Sequence, residues 1–262
     1  MEEKPRELLS GVFSTEAVAK VGTGTTVRKT VQKTYWFVKE IEDGNVEVQP
    51  LNVNYVPSGP KQLVPKDDFL DKFAPEPEFY TQTVYPKMRE LTKTIAKADR
   101  HRTRGESFSA EFEYNNAIKV DEENIRANFG LGLTYLDRGE TNKGNDIFNR
   151  LVHLDAAFEA EHKHLFNEFG IKLRKNKMIE QALEYYSRAS ELAPHDENLH
   201  YNMARAHFAQ DDVPKTIDHL LQALKLNPEL KEARQFVAYL QKHNLVPKDY
   251  KKALELLDQA KE

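Results

Sequence analysis

Two patterns of hydrophobic and polar residues follow one another along this 262-residue chain. In residues 22–64, Thr, Val, Tyr and Phe are frequent and turn residues interrupt them, which is typical of short strands. The clearest element is KTYWFVKEI, then EDGN, then VEVQPLNV, where Asp43 and Gly44 supply the positive φ angles of a tight turn. The pattern therefore predicts a β-rich domain over residues 1–80, with a hairpin at 33–53.

A second turn and a short helix follow the hairpin. The residues from Pro57 to Pro60 break the strand pattern, after which KQLV predicts a short strand and DDFLDKF a helix. This order resembles a small SH3-like or Tudor-like barrel, a likeness that implies no particular function. The segment from Ala74 to Pro86 has three prolines and no period, so we interpret it as a linker or a docking strap near a domain boundary.

From residue 87 the hydrophobic period becomes helical and repeats every 34 residues. The four copies cover about 91–124, 125–158, 163–196 and 197–230, and residues 231–262 add a capping hairpin. Certain offsets hold similar residues in the third and fourth copies, namely Gly170, Ala182, Tyr186 and Ala189, then Ala204, Thr216, Leu220 and Ala223. Positions twenty, twenty-four and twenty-seven are spaced i, i+4, i+7, so they form one face of the second helix.

This pattern resembles the tetratricopeptide repeat (TPR) family over residues 87–262. The resemblance implies pairs of antiparallel helices stacked in an all-α superhelix, and hence an α+β protein with domains 1–80 and 81–262. It also implies a concave groove lined by positions two, five, nine and twelve of each copy. The predicted groove residues are Arg126, Phe129, Leu133, Asn167, Ile171, Arg174, Asn198, Tyr201, Arg205, Phe208 and Tyr239. An alternative interpretation is that some of these side chains pack between repeats.

Composition restricts the class of protein. Hydrophobic residues make up 39% and charged residues 31%, and no stretch reaches the ~18 consecutive apolar residues of a membrane helix. The first residues do not form a secretory signal, so we expect a cytoplasmic protein. A net charge of -4 gives no general reason to expect nucleic acid as a partner. The absence of cysteine excludes disulfides and thiolate sites.

Two local basic clusters keep a nucleic-acid partner as an alternative. Lys93, Lys97, Arg100 and Arg104 are spaced i, i+4, i+7, i+11 and predict a basic stripe along one helix, which is either a solvated face or a surface for an acidic partner. The second cluster lies among strand aromatics and comprises Lys20, Arg28, Lys29 and Lys33.

Candidate catalytic and metal-binding residues are weak. Glu161, His164 and Glu168 share a helix face, but one imidazole with two carboxylates is equally an ordinary helix surface. The GTGT run at 22–25 lacks the lysine and glycine spacing of a phosphate-binding loop. The TPR proteins that hold a chaperone tail have lysine and asparagine where this chain has Ile95 and Asp99. We therefore predict no catalytic residue, no cofactor, no metal and no chaperone clamp.

The leading hypothesis is a non-enzymatic scaffold or adaptor, cytoplasmic and bacterial, whose groove binds a partner peptide with apolar and acidic groups. One alternative is a nucleic-acid-associated protein that uses the basic stripe and the β domain. Another is a scaffold that assembles with itself, because stacked helical repeats expose hydrophobic end faces.

Overall fold

The computed structural model describes residues 8–21, 28–41, 44–154 and 162–251. Contacts divide the chain into two compact units, residues 1–127 and 128–262. The division falls inside a helix of the repeat region, whereas the domain boundary near residue 80 stays a prediction. Residues 252–262 of the predicted capping hairpin lie outside the described residues.

The N-terminal part of the first unit is one antiparallel sheet of five strands. The strands are β1 Ser10–Val21, β2 Arg28–Glu40, β3 Val46–Pro50, β4 Gln62–Val64 and β5 Ala74–Pro75. Their order is β4-β3-β2-β1-β5, and Val38 of β2 lies opposite Gly11 of β1 and Val48 of β3. No ladder joins β4 to β5 among the described strands, so the structure contains a small antiparallel sheet and barrel closure is not observed.

Alternation along the strands places one apolar face of the sheet against a short helix, α1 Lys66–Lys72. Val38, Val46 and Val48 are buried there, and Phe69 of α1 is 2% exposed. The Phe69 ring meets the Phe13 ring edge to face at 4.9 Å between centroids. This helix is formed by the segment DDFLDKF, which the sequence predicts as helical. Phe69 of the segment completes the core of the sheet.

The segment after β5 packs on the sheet rather than forming an irregular linker. Helix α2 Pro77–Phe79 runs through a π-helical turn, Tyr80–Val84, into the first long helix. The Phe79 ring packs 4.5 Å from the Tyr35 ring and 5.4 Å from the Tyr55 ring. Of the two interpretations of this segment, docking is therefore the one observed.

Within the described ranges nine further helices follow, and eight of them form antiparallel pairs. They are α3 Tyr85–Thr103, α4 Ser107–Val120, α5 Ile125–Asp137, α6 Thr141–Leu151, α7 Lys163–Lys175, α8 Ile179–Leu192, α9 Glu197–Phe208, α10 Val213–Leu226 and α11 Lys231–Lys242. The turn inside each pair contains one residue with positive φ: Gly105, Gly139, Lys177 and Asp211 in order. This left-handed residue ends the first helix of each pair.

Two positions of the repeat are buried where the paired helices cross. Positions twenty-four and twenty-seven are at most 2% exposed in every copy, at Tyr114, Ala117, Phe148, Leu151, Tyr186, Ala189, Leu220 and Ala223. Gly170 shows why small residues are needed, because an added Cβ would lie 2.7 Å from Cζ of Tyr186. The second helices thus approach the first closely only where no side chain intervenes.

A loop of the sheet caps the first helical hairpin. The side-chain amides of Asn52 and Asn54 each donate a hydrogen bond of 2.9 Å to the carbonyl oxygen of Val120, at the end of α4. The Ser58 hydroxyl donates to Oδ1 of buried Asp121 at 2.6 Å. The two amide bonds satisfy the Val120 carbonyl, one of the groups that the end of a helix leaves without an intrahelical partner.

Candidate functional site

An open pocket of about 450 Å³ lies on the second unit, across the first helices of successive pairs, α7, α9 and α11. Four predicted groove residues line it together: Arg174, Tyr201, Arg205 and Phe208. The remaining lining residues are Ala209, Glu232, Gln235 and Phe236. Phe236 was not among the predicted groove residues, although its spacing of i, i+3 from Tyr239 on one helix face could have indicated it.

Aromatic side chains form an apolar wall of this pocket. The Phe208 and Phe236 rings meet perpendicularly at 5.2 Å between centroids, and Tyr239 lies 6.1 Å from Phe208. Tyr239 is 45% exposed, whereas Phe208 and Phe236 are partly buried. Such a wall is suited to a large apolar side chain, because aromatic edges and faces give much contact area at little conformational cost.

Two arginines supply the polar part of the pocket. Arg205 lies over the Tyr201 ring, with Cζ 5.6 Å from the centroid, in a cation–π contact. Nε and Nη2 of Arg174 are buried and have no acceptor. Burial lowers the pKa of Arg174 below its ordinary value, and repulsion by Arg205 lowers it further. Neither arginine forms an ion pair with any residue in the described part of the chain.

Asn167 continues this line along α7. It lies seven residues before Arg174, on the same helix face, and its Oδ1 is buried without a donor. Ile171 is partly buried between the two. Asn198 lies at the start of α9, where its side-chain amide makes a long 3.5 Å contact to Oε1 of Glu197. An unsatisfied buried acceptor costs about 1–3 kcal/mol, which a bound donor recovers.

Two predicted groove residues lie in the core. Phe129 and Leu133 of α5 are both 0% exposed. The Phe129 ring packs 5.5 Å from the Phe169 ring and 6.1 Å from the Tyr185 ring, both edge to face. They have no surface with which to contact a partner, so the alternative interpretation, packing between repeats, describes them.

Arg126 belongs to the other unit and is already paired. Its Nε and Nη2 donate to Oδ2 of Asp99 at 3.0 and 2.6 Å. The Tyr114 hydroxyl donates to Oδ1 of the same carboxylate at 2.5 Å. Burial and the Asp99 carboxylate both raise the pKa of Tyr114. Within the first unit, Asp99 therefore holds Arg126, at the start of α5, to α3.

The predicted basic stripe lies on α3 and just beyond its end. All four residues, Lys93, Lys97, Arg100 and Arg104, are exposed. Lys97 forms an ion pair with Glu113, with 2.6 Å between Nζ and Oε1. The stripe is thus one surface, partly neutralised by an acidic neighbour.

Three histidines stack between α9 and α10, an arrangement that sequence spacing did not reveal because one comes from the other helix. Nδ1 of His200 lies 3.2 Å from Nδ1 of His219, and the His207 ring is parallel to the His219 ring at 5.3 Å. Burial, then repulsion by His207 and His200, lower the pKa of His219 to about 4. The pKa of His200 and of His207 is lowered mainly by burial.

No group of three or more His, Asp or Glu side chains suited to a metal occurs among the described residues. The predicted GTGT run and Glu161 lie outside those residues, and the His164 side chain is not described either. Near the second basic cluster, Lys33 forms an ion pair with Glu76. Within the same described ranges, no helix is long and apolar enough to cross a membrane.

Comparisons with known proteins give one sequence relative and a set of structural neighbours. A TPR and J domain-containing co-chaperone, DNJ1 of Fusarium oxysporum f. sp. lycopersici, is 32% identical over 75 residues, which is 29% of this chain and 14% of that protein. No family model matches the chain.

Solved structures give likenesses to repeat proteins at low identity. MamA from Desulfovibrio magneticus RS-1 is 18% identical with a TM-score of 0.47, over 66% of this chain and 97% of that one. Pseudomonas aeruginosa PilF is 16% identical with a TM-score of 0.47, over 59% and 69% of the two chains. These values are too low to support an argument about function.

The predicted resemblance to the TPR family is confirmed for the helical region. The paired helices, the left-handed turn residues and the buried small positions have the arrangement that the repeat pattern implies. The name of the co-chaperone that matches this chain over 75 residues includes the same repeat. The helical region therefore has the TPR-type arrangement of paired helices that the repeat pattern predicts.

Proposed function

We propose that this protein is a non-enzymatic scaffold whose face of first helices, α7, α9 and α11, binds a segment of a partner protein. The observation that carries the proposal is the pocket in which an aromatic wall meets two arginines that have no anionic partner among the described residues. Aromatic and arginine side chains dominate binding energy at protein interfaces. The partner segment is expected to carry an apolar anchor and acidic groups.

The accessible part of the predicted groove defines the binding residues in this proposal. They are Asn167, Ile171, Arg174, Asn198, Tyr201, Arg205, Phe208 and Tyr239, to which we add Phe236. Phe129 and Leu133 are left out because they are buried, and Arg126 because Asp99 holds it. The sheet of the first unit is proposed as a second contact surface or as a support for the array.

Affinity capture from a lysate of the source cells tests the proposal. The groove variant combines Arg174→Glu with Tyr239→Ser, and the matched control is Phe112→Ser, which removes an aromatic that is 63% exposed on α4. We expect proteins that are retained by the wild type and the control but lost with the groove variant, regardless of nuclease treatment. Equal retention by the groove variant and the control would contradict the proposal.

The nucleic-acid alternative rests on the exposed stripe of α3. Phosphate contacts give an affinity that falls steeply with added salt, whereas an apolar groove gives a shallow dependence. Loss of the captured material after nuclease treatment, together with weaker binding of a Lys93→Ala/Arg100→Ala variant, would favour this alternative. Self-assembly is tested by light scattering at two protein concentrations.

A further inference from the structure

The side-on edge of the Arg174 guanidinium offers two N–H donors that no described residue uses. Nε and Nη2 lie on this edge, and both are buried without an acceptor. The two N–H groups are parallel, with a spacing that matches the two oxygens of a carboxylate. Arg174 lines the pocket, and a rotation of its side chain would turn this edge toward a bound segment.

The same edge of another arginine in this chain already holds a carboxylate. Arg126 uses Nε and Nη2, at 3.0 and 2.6 Å, to bind Oδ2 of Asp99. Arg174 presents the same pair of donors beside an aromatic wall. Glu232 is an acid that also lines the pocket, but it forms no ion pair with Arg174 among the described contacts. The missing acceptor is therefore expected from outside the described chain.

Arg205 has a different role from Arg174. Its guanidinium is held over the Tyr201 ring, four residues earlier on α9. In that position it adds positive charge to the pocket, and it repels Arg174 when the pocket is empty. An anion placed between them relieves this repulsion, which favours a carboxylate over a neutral group.

The groove continues on both sides of the pocket, which favours a side chain over a chain terminus as the source of the carboxylate. On α7, Oδ1 of Asn167 is buried without a donor, so a backbone N–H of the bound segment that reaches it would satisfy it. On α11, the exposed Tyr239 extends the aromatic wall in the other direction. A segment that reaches both residues passes through the pocket rather than ending in it.

We infer that Arg174 determines the specificity of the groove by binding the side-chain carboxylate of an Asp or Glu that neighbours a large apolar residue in the partner segment. Arg174 holds the acid, and the wall of Phe208, Phe236 and Tyr239 holds the apolar side chain. This inference rests on the proposed function, because it names what the same site recognises.

Selection from a random peptide library displayed on phage tests the inference. The peptides are fused to the coat protein through their C-termini, so that none has a free terminal carboxylate. The baits are the full-length wild type, Arg174→Gln, Arg174→Lys and the control Arg188→Gln, whose arginine lies on α8 outside the pocket. The wild type and the control are expected to enrich peptides with an acid beside a large apolar residue.

Arg174→Gln is expected to lose the preference for acids while keeping the preference for apolar residues, which also shows that the variant is folded. Arg174→Lys retains the charge but lacks the two parallel donors, so its preference for acids is expected to be intermediate. For one selected peptide, replacing its acid by the matching amide should weaken binding to the wild type about 10- to 100-fold and to Arg174→Gln by much less.

Three outcomes would overturn the inference, and they differ from failure of the proposed function. Apolar peptides without acids, selected by the wild type and lost with Tyr239→Ser, would leave the groove a binding site but remove the carboxylate. Acid enrichment that is unchanged in Arg174→Gln would assign it to another residue. If no bait enriches any peptide, the groove is not a peptide-binding site. If peptides are enriched only in a second library, whose members have free C-termini, the carboxylate comes from a chain terminus and not from a side chain.

Discussion

The stacked histidines His200, His207 and His219 predict that the second unit loses stability on mild acidification. The pKa of His219 falls from 6.5 to about 4 in the folded chain, because burial and the other two rings disfavour its charged form. A histidine with a lowered pKa binds fewer protons when folded than when unfolded. Its contribution is therefore complete above pH 6.5 and is lost as the pH falls from 6.5 toward 4.

The size of the effect follows from the same values. A fall of the pKa from 6.5 to about 4 corresponds to about 3.4 kcal/mol at full effect, of which a little over half, about 1.8 kcal/mol, is lost between pH 7 and pH 5. His219 is partly exposed, so screening by water reduces this to about 1 kcal/mol. The lowered pKa of His200 and of His207 adds to the loss with the same sign.

The charged groups around the rings do not reverse this sign. Asp196 and Asp218 favour protonation of His200 and His219 respectively, while Lys215 opposes it, and burial outweighs the acids. Asp212 has a lowered pKa, mainly because its carboxylate accepts from the backbone N–H of Lys215. Its own contribution is lost only near or below its ordinary pKa of 3.8, outside the interval from pH 7 to pH 5.

Urea unfolding followed by circular dichroism at pH 7, 6 and 5, together with NMR titration of the histidine rings, measures the effect. We expect a fall in the free energy of unfolding of about 1–2 kcal/mol over this interval and a smaller fall in His219→Gln. His195→Gln, which removes an exposed histidine before α9, is the matched control and should keep the wild-type slope. A free energy that stays constant, or a His219 ring that titrates near pH 6.5, would refute the reasoning.

Two further predictions concern helix packing and the hydrogen bond of a buried tyrosine. Gly170→Ala places a Cβ 2.7 Å from Cζ of Tyr186 and should lower the free energy of unfolding in urea by about 1–3 kcal/mol. Gly139 lies at a left-handed turn with no neighbour within 4 Å, so Gly139→Asn should change the free energy of unfolding by under about 1 kcal/mol. Asp99→Ala leaves the buried Tyr114 hydroxyl without its acceptor and should lower the free energy of unfolding by about 1–3 kcal/mol. Asp99→Asn should lower it clearly less, and equal losses for the two variants would show that the hydrogen bond is unimportant.

The repeat array could be predicted because its signature is written in local spacing. Positions twenty-four and twenty-seven recur in all four copies at intervals of 34, 38 and 34 residues, and the close crossing of two helices leaves room only for certain sizes there. The docking of residues 74–86 was harder to predict. Their prolines suggest an irregular segment, but Phe79 finds aromatic partners in Tyr35 and Tyr55, and tertiary packing decides the outcome.

Exposure along the predicted groove could not be obtained from repeat position alone. Phe129 and Tyr201 occupy the same position, the fifth, in the second and fourth copies. Phe129 is fully buried because Phe169 and Tyr185 of the next copy are large enough to cover it. Tyr201 stays partly exposed beside Arg205, because no aromatic ring among the described residues packs on it. The side chain of the following repeat, rather than the residue itself, therefore determines whether a groove position is accessible.

This dependence on the following repeat limits where a partner segment can bind in the second unit. Burial of Phe129 and Leu133 removes the apolar positions of α5 from the surface, while the accessible positions lie on α7, α9 and α11. First helices of successive pairs are about 10 Å apart, so a segment that spans three of them needs only about six extended residues. In the proposed interaction so few residues are in contact that one arginine with two unused donors would be enough to decide between an acidic and a neutral sequence.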